Sequence, residues 1–555
     1  LYVHDLAAGK NVVLGDAHFD GFSPAFSPDG KYLYFLGDRE WAPQLSGVEW
    51  DFAANRSAGI FAYALRKDVG DPFAPRNDSA SHENKSAAEA SADKAGEDGD
   101  DDKKGGKDKH APKAAADIND HIDFDGLNQR LVRAPIDADN IAGVTITRKA
   151  ILYVVGDARY YGRKGAFKPK LEAWSFEERK SSDVFDGVEG LSVSDDGSTA
   201  LVKTADGYKS IDLNAHKREP KDVKVDGLYA LVDPKAEYAE IFREVWRRYR
   251  DYFYAVNMNG YDWNALRAKY EPLLTWVGDR SDLNYLLGQM VAELSNSHSY
   301  VGGGDLRLPP KPHVALLGAR FELDAANGRY RISKILKGEN DEERYRSPLT
   351  EVGIDVHEGD YVMAINGQPL TATENPYRLL RTAPGQLVQL SVSSTPSGRE
   401  RTVLVKPIGS EQPLDYYAWV RHNREYVDKA SDGEIGYLHV PDMGADGIRE
   451  FIKWYFPQLR KAGLIVDVRD NGGGNVSAMI IERLSRKLLG LDYWRGSELT
   501  STYPQQTFLG HLAALCNGTT ASDGDIFSYM FKQAKLGPLI GTRTWGGVVG
   551  INSWG

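Results

Sequence analysis

Leu464-Ile-Val-Asp-Val-Arg-Asp-Asn-Gly-Gly-Gly-Asn475 is the stretch on which the fold turns. A short apolar run ends in a glycine cluster, and apolar residues at helical spacing follow over 476–488. A buried strand that leads through a glycine turn into a helix is the simplest reading. The same succession recurs downstream, where Leu512-Ala-Ala-Leu-Cys-Asn517 precedes a turn and a helical pattern over 524–535. It also occurs upstream, with a strand over 435–440 and a helix over 446–455. Strands alternating with helices predict a parallel sheet, and such sheets place their sites beyond the carboxyl ends of the strands.

Before this core, residues 311–410 read as a small β-rich module. Val356-His-Glu-Gly-Asp-Tyr-Val-Met-Ala-Ile-Asn-Gly-Gln-Pro-Leu370 contains an alternating strand that runs into an Asn-Gly turn. The pattern Gly-Asp-x-Val-x-x-Ile-Asn-Gly resembles the central hairpin of a PDZ domain, which implies an open sheet edge for an extended peptide. Further upstream, Tyr238, Ile241, Phe242, Val245, Trp246, Tyr249 and Phe253 recur at spacings of three and four, as in an amphipathic helix. Asp262 is the expected cap of a second helix and Asp282 of a third. The third runs into Ser295-Asn-Ser-His-Ser-Tyr300 and three glycines.

The first 230 residues have a different texture. Phe26-Ser-Pro-Asp-Gly-Lys-Tyr-Leu-Tyr-Phe35 sets a tight turn before an alternating strand, and Ser192-Val-Ser-Asp-Asp-Gly-Ser-Thr-Ala-Leu-Val202 repeats it. The unit resembles the blade repeat of a β-propeller, and at roughly 40–45 residues per blade there is room for about four or five blades. The propeller is therefore expected to be partial. Within it, residues 78–117 hold no large apolar side chain but 11 acidic residues and 7 lysines. Such a segment has too little apolar surface to offset the entropy of ordering, so a disordered insertion is expected.

Composition excludes several classes. The chain has 555 residues, with 68 Lys plus Arg against 79 Asp plus Glu, a formal charge of −11. This acidic balance argues against a nucleic-acid binder. No apolar run approaches the roughly 20 residues that span a bilayer. A single cysteine, Cys516, rules out an internal disulfide framework and a cysteine-based metal site. The chain begins at Leu1 rather than Met, so there is no signal peptide to read, and a processed start or a fragment is expected.

Two strand ends carry the chemistry. Asn471-Gly-Gly-Gly474 opens a helix, where glycines let backbone amides approach a ligand or simply make a turn. It lacks the motif of a P-loop or a dinucleotide fold. At the other end, Thr519-Thr-Ala-Ser-Asp-Gly-Asp-Ile-Phe527 puts Ser522 at the start of a helix. There it is either a nucleophile on a sharp elbow or a helix cap. A serine nucleophile needs a base, and His298 lies on a Ser-His-Ser turn beside glycines.

Taken in order, Ser297-His298, the PDZ-like module, Asp-Val-Arg-x-Asn-Gly-Gly-Gly at 467–474, Ser522-Asp-Gly-Asp-Ile-Phe and Gly541-Thr-Arg-Thr-Trp-Gly-Gly-Val-Val-Gly-Ile551 resemble the tricorn protease and its bacterial homologues, among the tail-specific serine peptidases. The resemblance implies a multidomain architecture. Residues 1–230 would be a partial β-propeller, 231–310 a helical subdomain carrying His298, 311–410 a PDZ-like domain, and 411–555 an α/β, ClpP/crotonase-like catalytic core carrying Ser522. It implies a serine endopeptidase for oligopeptides in which Ser522 is the nucleophile, His298 the general base and Ser297 a helper of the histidine. Backbone amides of Gly473 and Asp523 would form the oxyanion hole, and Asp492 would favour a basic side chain before the cut. It further implies a homohexamer, peptide substrates, no metal or organic cofactor, and a cytoplasmic location, with an exported form as the alternative. The family also uses a glutamate well downstream of the nucleophile. Nothing after Asp525 is acidic here, so the core is expected to be truncated at its C-terminus, with a reduced orienting network.

Two other readings are open. A Ser–Lys processing peptidase would need a lysine about 25 residues after the serine. Position 547 is glycine and the last lysine, Lys535, is only 13 residues on. A non-catalytic peptide-binding scaffold would leave the catalytic positions free to vary, and both His298 and Ser522 are present.

Overall fold

The computed structural model describes residues 1–74 and 121–551, apart from 7, 16–18, 41, 47–51, 159–160, 163, 216–217, 307, 384 and 497–499. The expected insertion at 78–117 lies outside the described residues. The chain divides into two compact units, Leu1–Tyr229 and Ala230–Gly555.

The first unit is antiparallel β throughout. Its four-stranded sheets comprise Phe22–Phe26, Tyr32–Asp38, Ala58–Ala64 and Leu131–Arg133; then Ile141–Ile146, Ala150–Val155, Lys170–Ser175 and Ser181–Asp186; then Gly190–Val193, Thr199–Thr204, Gly207–Asp212 and Lys221–Val223. The alternation along the strands explains their stacking. From one strand, Tyr34 and Leu36 pack with Ile151, Tyr153 and Trp174 of the second sheet, while Leu33 and Phe35 pack with Leu14 on the opposite face. Leu152, Leu171 and Ala173 in turn meet Ala200, Val202 and Ile211 of the third. Sheets buried on both faces and stacked face to face are propeller blades.

The repeat also holds at atomic level. Ser27 Oγ donates to Asp29 Oδ1 at 2.6 Å and accepts from Tyr32 N at 3.0 Å. Ser194 Oγ does the same with Asp196 and Thr199, at 2.6 and 3.0 Å. Among the described residues there are three four-stranded blades, fewer than the period allows. The first blade takes the excess: it carries the extra hairpin Ala42–Leu45/Phe52–Asn55 and the long segment between Ala64 and Leu131.

The second unit opens with the predicted helix Pro234–Tyr252, capped by the Asp233 carboxylate, which accepts from the Lys235 and Ala236 amides. Asp262 caps Trp263–Tyr270 as expected. The third helix, Arg280–Ala292, is capped by Asp279 rather than Asp282. Asp279 accepts from the Asp282 amide, so the helix starts one turn earlier and Asp282 lies in its first turn. Trp246 and Trp263 each donate their indole N–H to the other's backbone carbonyl, at 3.0 and 2.9 Å, locking the first two helices.

The β-rich module follows, with strand order Ala319–Asp324, Arg329–Ile335, Tyr361–Ile365, Val388–Ser393, Arg401–Val405. Asn366 and Gly367 both have positive φ (51° and 75°), the two-residue hairpin turn their sequence predicts. Tyr345 Oη donates to the buried Glu450 Oε1 at 2.8 Å, and Lys453 pairs with Glu339 and Glu342, so this module is tied to the core.

In the core, Ile435–His439, Gly463–Asp467, His511–Cys516 and Leu539–Gly541 form a parallel sheet in that order. Helices Ala445–Tyr455, Ser477–Leu484 and Asp523–Gln533 cover it. Because Gly463–Asp467 and His511–Cys516 are neighbours, with Asp467 opposite Leu515, the two glycine- and serine-bearing turns emerge side by side. The fully buried Asp467 accepts from Tyr437 Oη at 2.8 Å and pairs with Arg469 at 2.5 Å. Asp467→Ala removes the acceptor of Tyr437 Oη and of the Arg469 backbone and side-chain N–H groups, and is expected to cost about 3 kcal/mol in chemical denaturation. Among the described residues, no helix is long and apolar enough to cross a membrane.

Candidate active site

The two turns are stitched together by Asn471, which is fully buried. Its Nδ2 donates to Val440 O at 2.8 Å, its Oδ1 accepts from Gly473 N at 2.9 Å, and its carbonyl accepts from Ala521 N at 2.8 Å. Thr520 Oγ1 donates to Val468 O at 2.8 Å, and Asp470 and Asn517 exchange two further bonds of 3.0 Å. Glycine at 473 is demanded by geometry. Its φ is +93°, and a Cβ there would lie 2.6 Å from Ser522 Cβ and 2.9 Å from the Asp523 nitrogen.

Ser522 sits at the N-cap position of its helix, yet its side chain makes no capping bond. Its backbone is at φ 55°, ψ −117°, a region a non-glycine residue occupies at a cost of about 1–3 kcal/mol. Such strain at a strand-to-helix turn is the geometry of a nucleophile elbow. The hydroxyl points instead to His298, with Oγ 2.9 Å from Nε2. Residues 224 positions apart in the chain are thus brought into hydrogen-bond contact.

His298 is itself at positive φ (58°) and is held from three sides. Its Nδ1 is 2.9 Å from Tyr300 Oη. The Tyr300 and Trp545 rings meet the imidazole edge to face, with centroids at 5.9 and 5.5 Å. When Nδ1 carries the proton and donates to Tyr300 Oη, Nε2 presents its lone pair to the serine hydroxyl. Trp545 is placed by its backbone, since its N–H donates to Thr520 O at 2.9 Å and the next amide, Gly546 N, donates to Asp525 Oδ1 at 2.9 Å.

The remaining expected site residues fall less uniformly. The Asp523 amide has no acceptor among the described residues, as befits the first residue of a helix. Its carboxylate accepts from Ser477 N and Oγ at 3.0 and 2.5 Å, tying the two helix starts together. The Gly473 amide, expected to be free for an oxyanion, donates to Asn471 Oδ1. Ser297 adjoins His298 and its Cβ abuts Gly547, but the partner of Nδ1 is Tyr300, not Ser297. Asp492 lies exposed on the short hairpin Gly490–Asp492/Ser501–Tyr503 and takes no part in the hydrogen bonds that join Ser522, His298 and Tyr300. Tyr300, Trp545 and Asn471 are additions to the residues singled out from the sequence. All three stand inside its quoted motifs, but nothing in a single sequence aims their side chains. Among the described residues, no group of three or more His, Cys, Asp or Glu side chains is arranged to hold a metal ion.

A second histidine supports the glycine turn from behind. His439, 3% exposed, donates from Nε2 to Arg469 O at 2.8 Å and accepts from Tyr416 Oη at Nδ1, 3.0 Å away. Burial pushes its pKa below the usual 6.5 and keeps it neutral. The unfolded chain therefore binds a proton near pH 6.5 that the folded chain resists, so this contribution is complete above that pH and declines as pH falls. Urea denaturation at about pH 7.5 and about pH 5.5 should show a smaller loss of stability on acidification for His439→Gln than for the parent protein.

Four segments of the chain match known protein domains. Residues 1–214 match the tricorn protease second beta propeller domain, 234–292 the tricorn protease C1 domain, 315–410 the tricorn protease PDZ domain, and 434–554 peptidase family S41. Tricorn protease homolog 1 of Streptomyces coelicolor is 32% identical over 96% of this chain and 49% of its own length. The tricorn protease homolog of Saccharolobus solfataricus is 32% identical over 98% of this chain and 48% of its own. The crystal structure of the tricorn protease superposes with a TM-score of 0.81 at 29% identity, over 99% of this chain and 50% of that one. The chain spans about half the length of the curated relatives it matches.

Proposed function

Because the chain belongs to the tricorn protease family, with a peptidase family S41 domain at its end, we propose that it is a serine endopeptidase that cuts oligopeptides through an acyl-enzyme. The observation that carries this reading is the 2.9 Å contact between His298 Nε2 and the hydroxyl of a serine held on a strained elbow.

In the proposed reaction Ser522 Oγ attacks the peptide carbonyl while its proton passes to His298 Nε2. The negative charge that gathers on the carbonyl oxygen is met by the unpaired Asp523 amide at the positive end of its helix. The Gly473 amide joins it if the oxyanion outcompetes Asn471 Oδ1, since a charged acceptor binds an N–H more strongly than an amide oxygen does. Collapse breaks the C–N bond, and the imidazolium returns its proton to the leaving amine. Water, deprotonated by the same Nε2, then attacks the ester, releasing the carboxylic acid and restoring the serine. Tyr300 and Trp545 keep the ring in register throughout. Ser297 and Asp492 are assigned lesser roles, beside the base and before the cut. A cytoplasmic homohexamer is the proposed setting.

Incubation with a mixture of oligopeptides, followed by mass spectrometry of the new termini, tests the reading. Internal cleavage that disappears in Ser522→Ala is expected. Peptides recovered whole but retained by the protein would favour the scaffold instead.

A further inference from the structure

His298 faces more than the serine. It also lines a pocket of about 290 Å³ whose walls are Tyr249, Tyr252, Phe253 and Tyr254 on one side and Val549 and Ile551 on the other. The aromatic wall follows from the sequence: four rings lie at the last turn and exit of helix Pro234–Tyr252, of which Tyr249 and Phe253 also pack against the helical core. Phe253 stacks obliquely on Tyr254 at 4.9 Å and approaches Tyr249 at 6.4 Å, so the wall is preformed. Tyr252 and Tyr254 are each 61% exposed, which leaves large apolar faces open to water next to a catalytic imidazole. Burial raises the Tyr249 phenol above its usual pKa, so this ring is neutral across the working range.

Which part of a peptide meets this pocket follows from the proton path. The imidazole returns its proton to the leaving amine, so the chain on the amine side of the cut must pass His298. We infer that the pocket receives the side chain immediately after the scissile bond and selects a bulky apolar or aromatic residue there. The inference rests on the assignment of His298 as base. The pocket's volume suits one large side chain, and aromatic faces reward apolar contact. Aromatic faces also attract a cation, but an ammonium or guanidinium gives up its hydration to enter the space, which an apolar side chain does not. An acidic residue would exchange its hydration for ring faces whose quadrupole repels it.

The test is a set of peptides identical except for Phe, Leu, Ala, Lys or Asp after the cut. The kcat/KM for Phe and Leu should exceed that for Ala by about tenfold, with Lys and Asp lowest. Tyr252→Ala, at an exposed position, should collapse the Phe-to-Ala ratio toward unity. Ser522-dependent cleavage with no preference at this position, or an unchanged ratio in Tyr252→Ala, overturns the pocket assignment while leaving the peptidase reading intact. Loss of any Ser522-dependent cleavage overturns the peptidase reading instead. Calorimetric titration of the Ser522→Ala protein with the same peptides needs no turnover. Binding that ranks Phe above Ala, and loses that rank in Ser522→Ala/Tyr252→Ala, supports the pocket; equal binding of the two peptides counts against it.

Discussion

Ser522→Ala is expected to lower kcat for peptide cleavage by about 10⁴- to 10⁶-fold while leaving the melting temperature within a few degrees of the parent. The size follows from the geometry. The serine hydroxyl makes no capping bond and its main strong contact is His298, so its removal deletes the nucleophile and little else. His298→Ala should fall in the same range, because a serine without a base is a weak nucleophile at neutral pH. The double variant should then be scarcely worse than either single one, since two groups that act as one unit do not contribute additively. Full additivity in that cycle would mean that the 2.9 Å contact has no part in the reaction.

Gly473→Ala is the second large effect. A Cβ at this position would meet Ser522 Cβ at 2.6 Å and the Asp523 nitrogen at 2.9 Å, far inside any real contact, and the φ of +93° is itself hostile to an L side chain. Either the serine elbow or the glycine turn must move. Because Asn471 fastens both turns to each other and to Val440, the displacement cannot be absorbed locally. We expect at least a loss of about 10³-fold in kcat, as when an oxyanion donor is removed. A lowered melting temperature should accompany it, which separates this variant from Ser522→Ala. Gly472→Ala is the control, since a Cβ there would meet nothing within 4 Å and its backbone needs no positive φ.

Much of this is legible in the sequence. Strand ends announce themselves through glycine and serine clusters, and the order of His298, the β-rich module, the glycine turn and Ser522 carries the family resemblance. The parallel sheet places the two turns together because strands Gly463–Asp467 and His511–Cys516 pair directly, which alternation of strands and helices makes the default arrangement. What a single sequence leaves open is torsional and long-range. A serine at a helix start is a cap or an elbow according to its φ, and only the fold sets that angle. Tyr300, two residues from His298, could point anywhere, and Trp545 reaches the imidazole through a backbone bond to Thr520. A glycine turn suggests free donors, but the Asn471 side chain, two residues back, closes on the Gly473 amide. The cap of the third helix lies one turn before the expected one for a related reason. Asp279 and Asp282 are both good caps, and the choice depends on where the preceding segment turns.

A serine-directed peptidyl phosphonate tests the central claim most directly, because it reacts with an activated hydroxyl and forms a bond that survives digestion. After incubation at neutral pH and peptide mapping, the adduct should sit on Ser522, should be absent from Ser522→Ala, and should form far more slowly in His298→Ala. An adduct on another serine, or equal labelling of Ser522 with and without His298, would contradict the account.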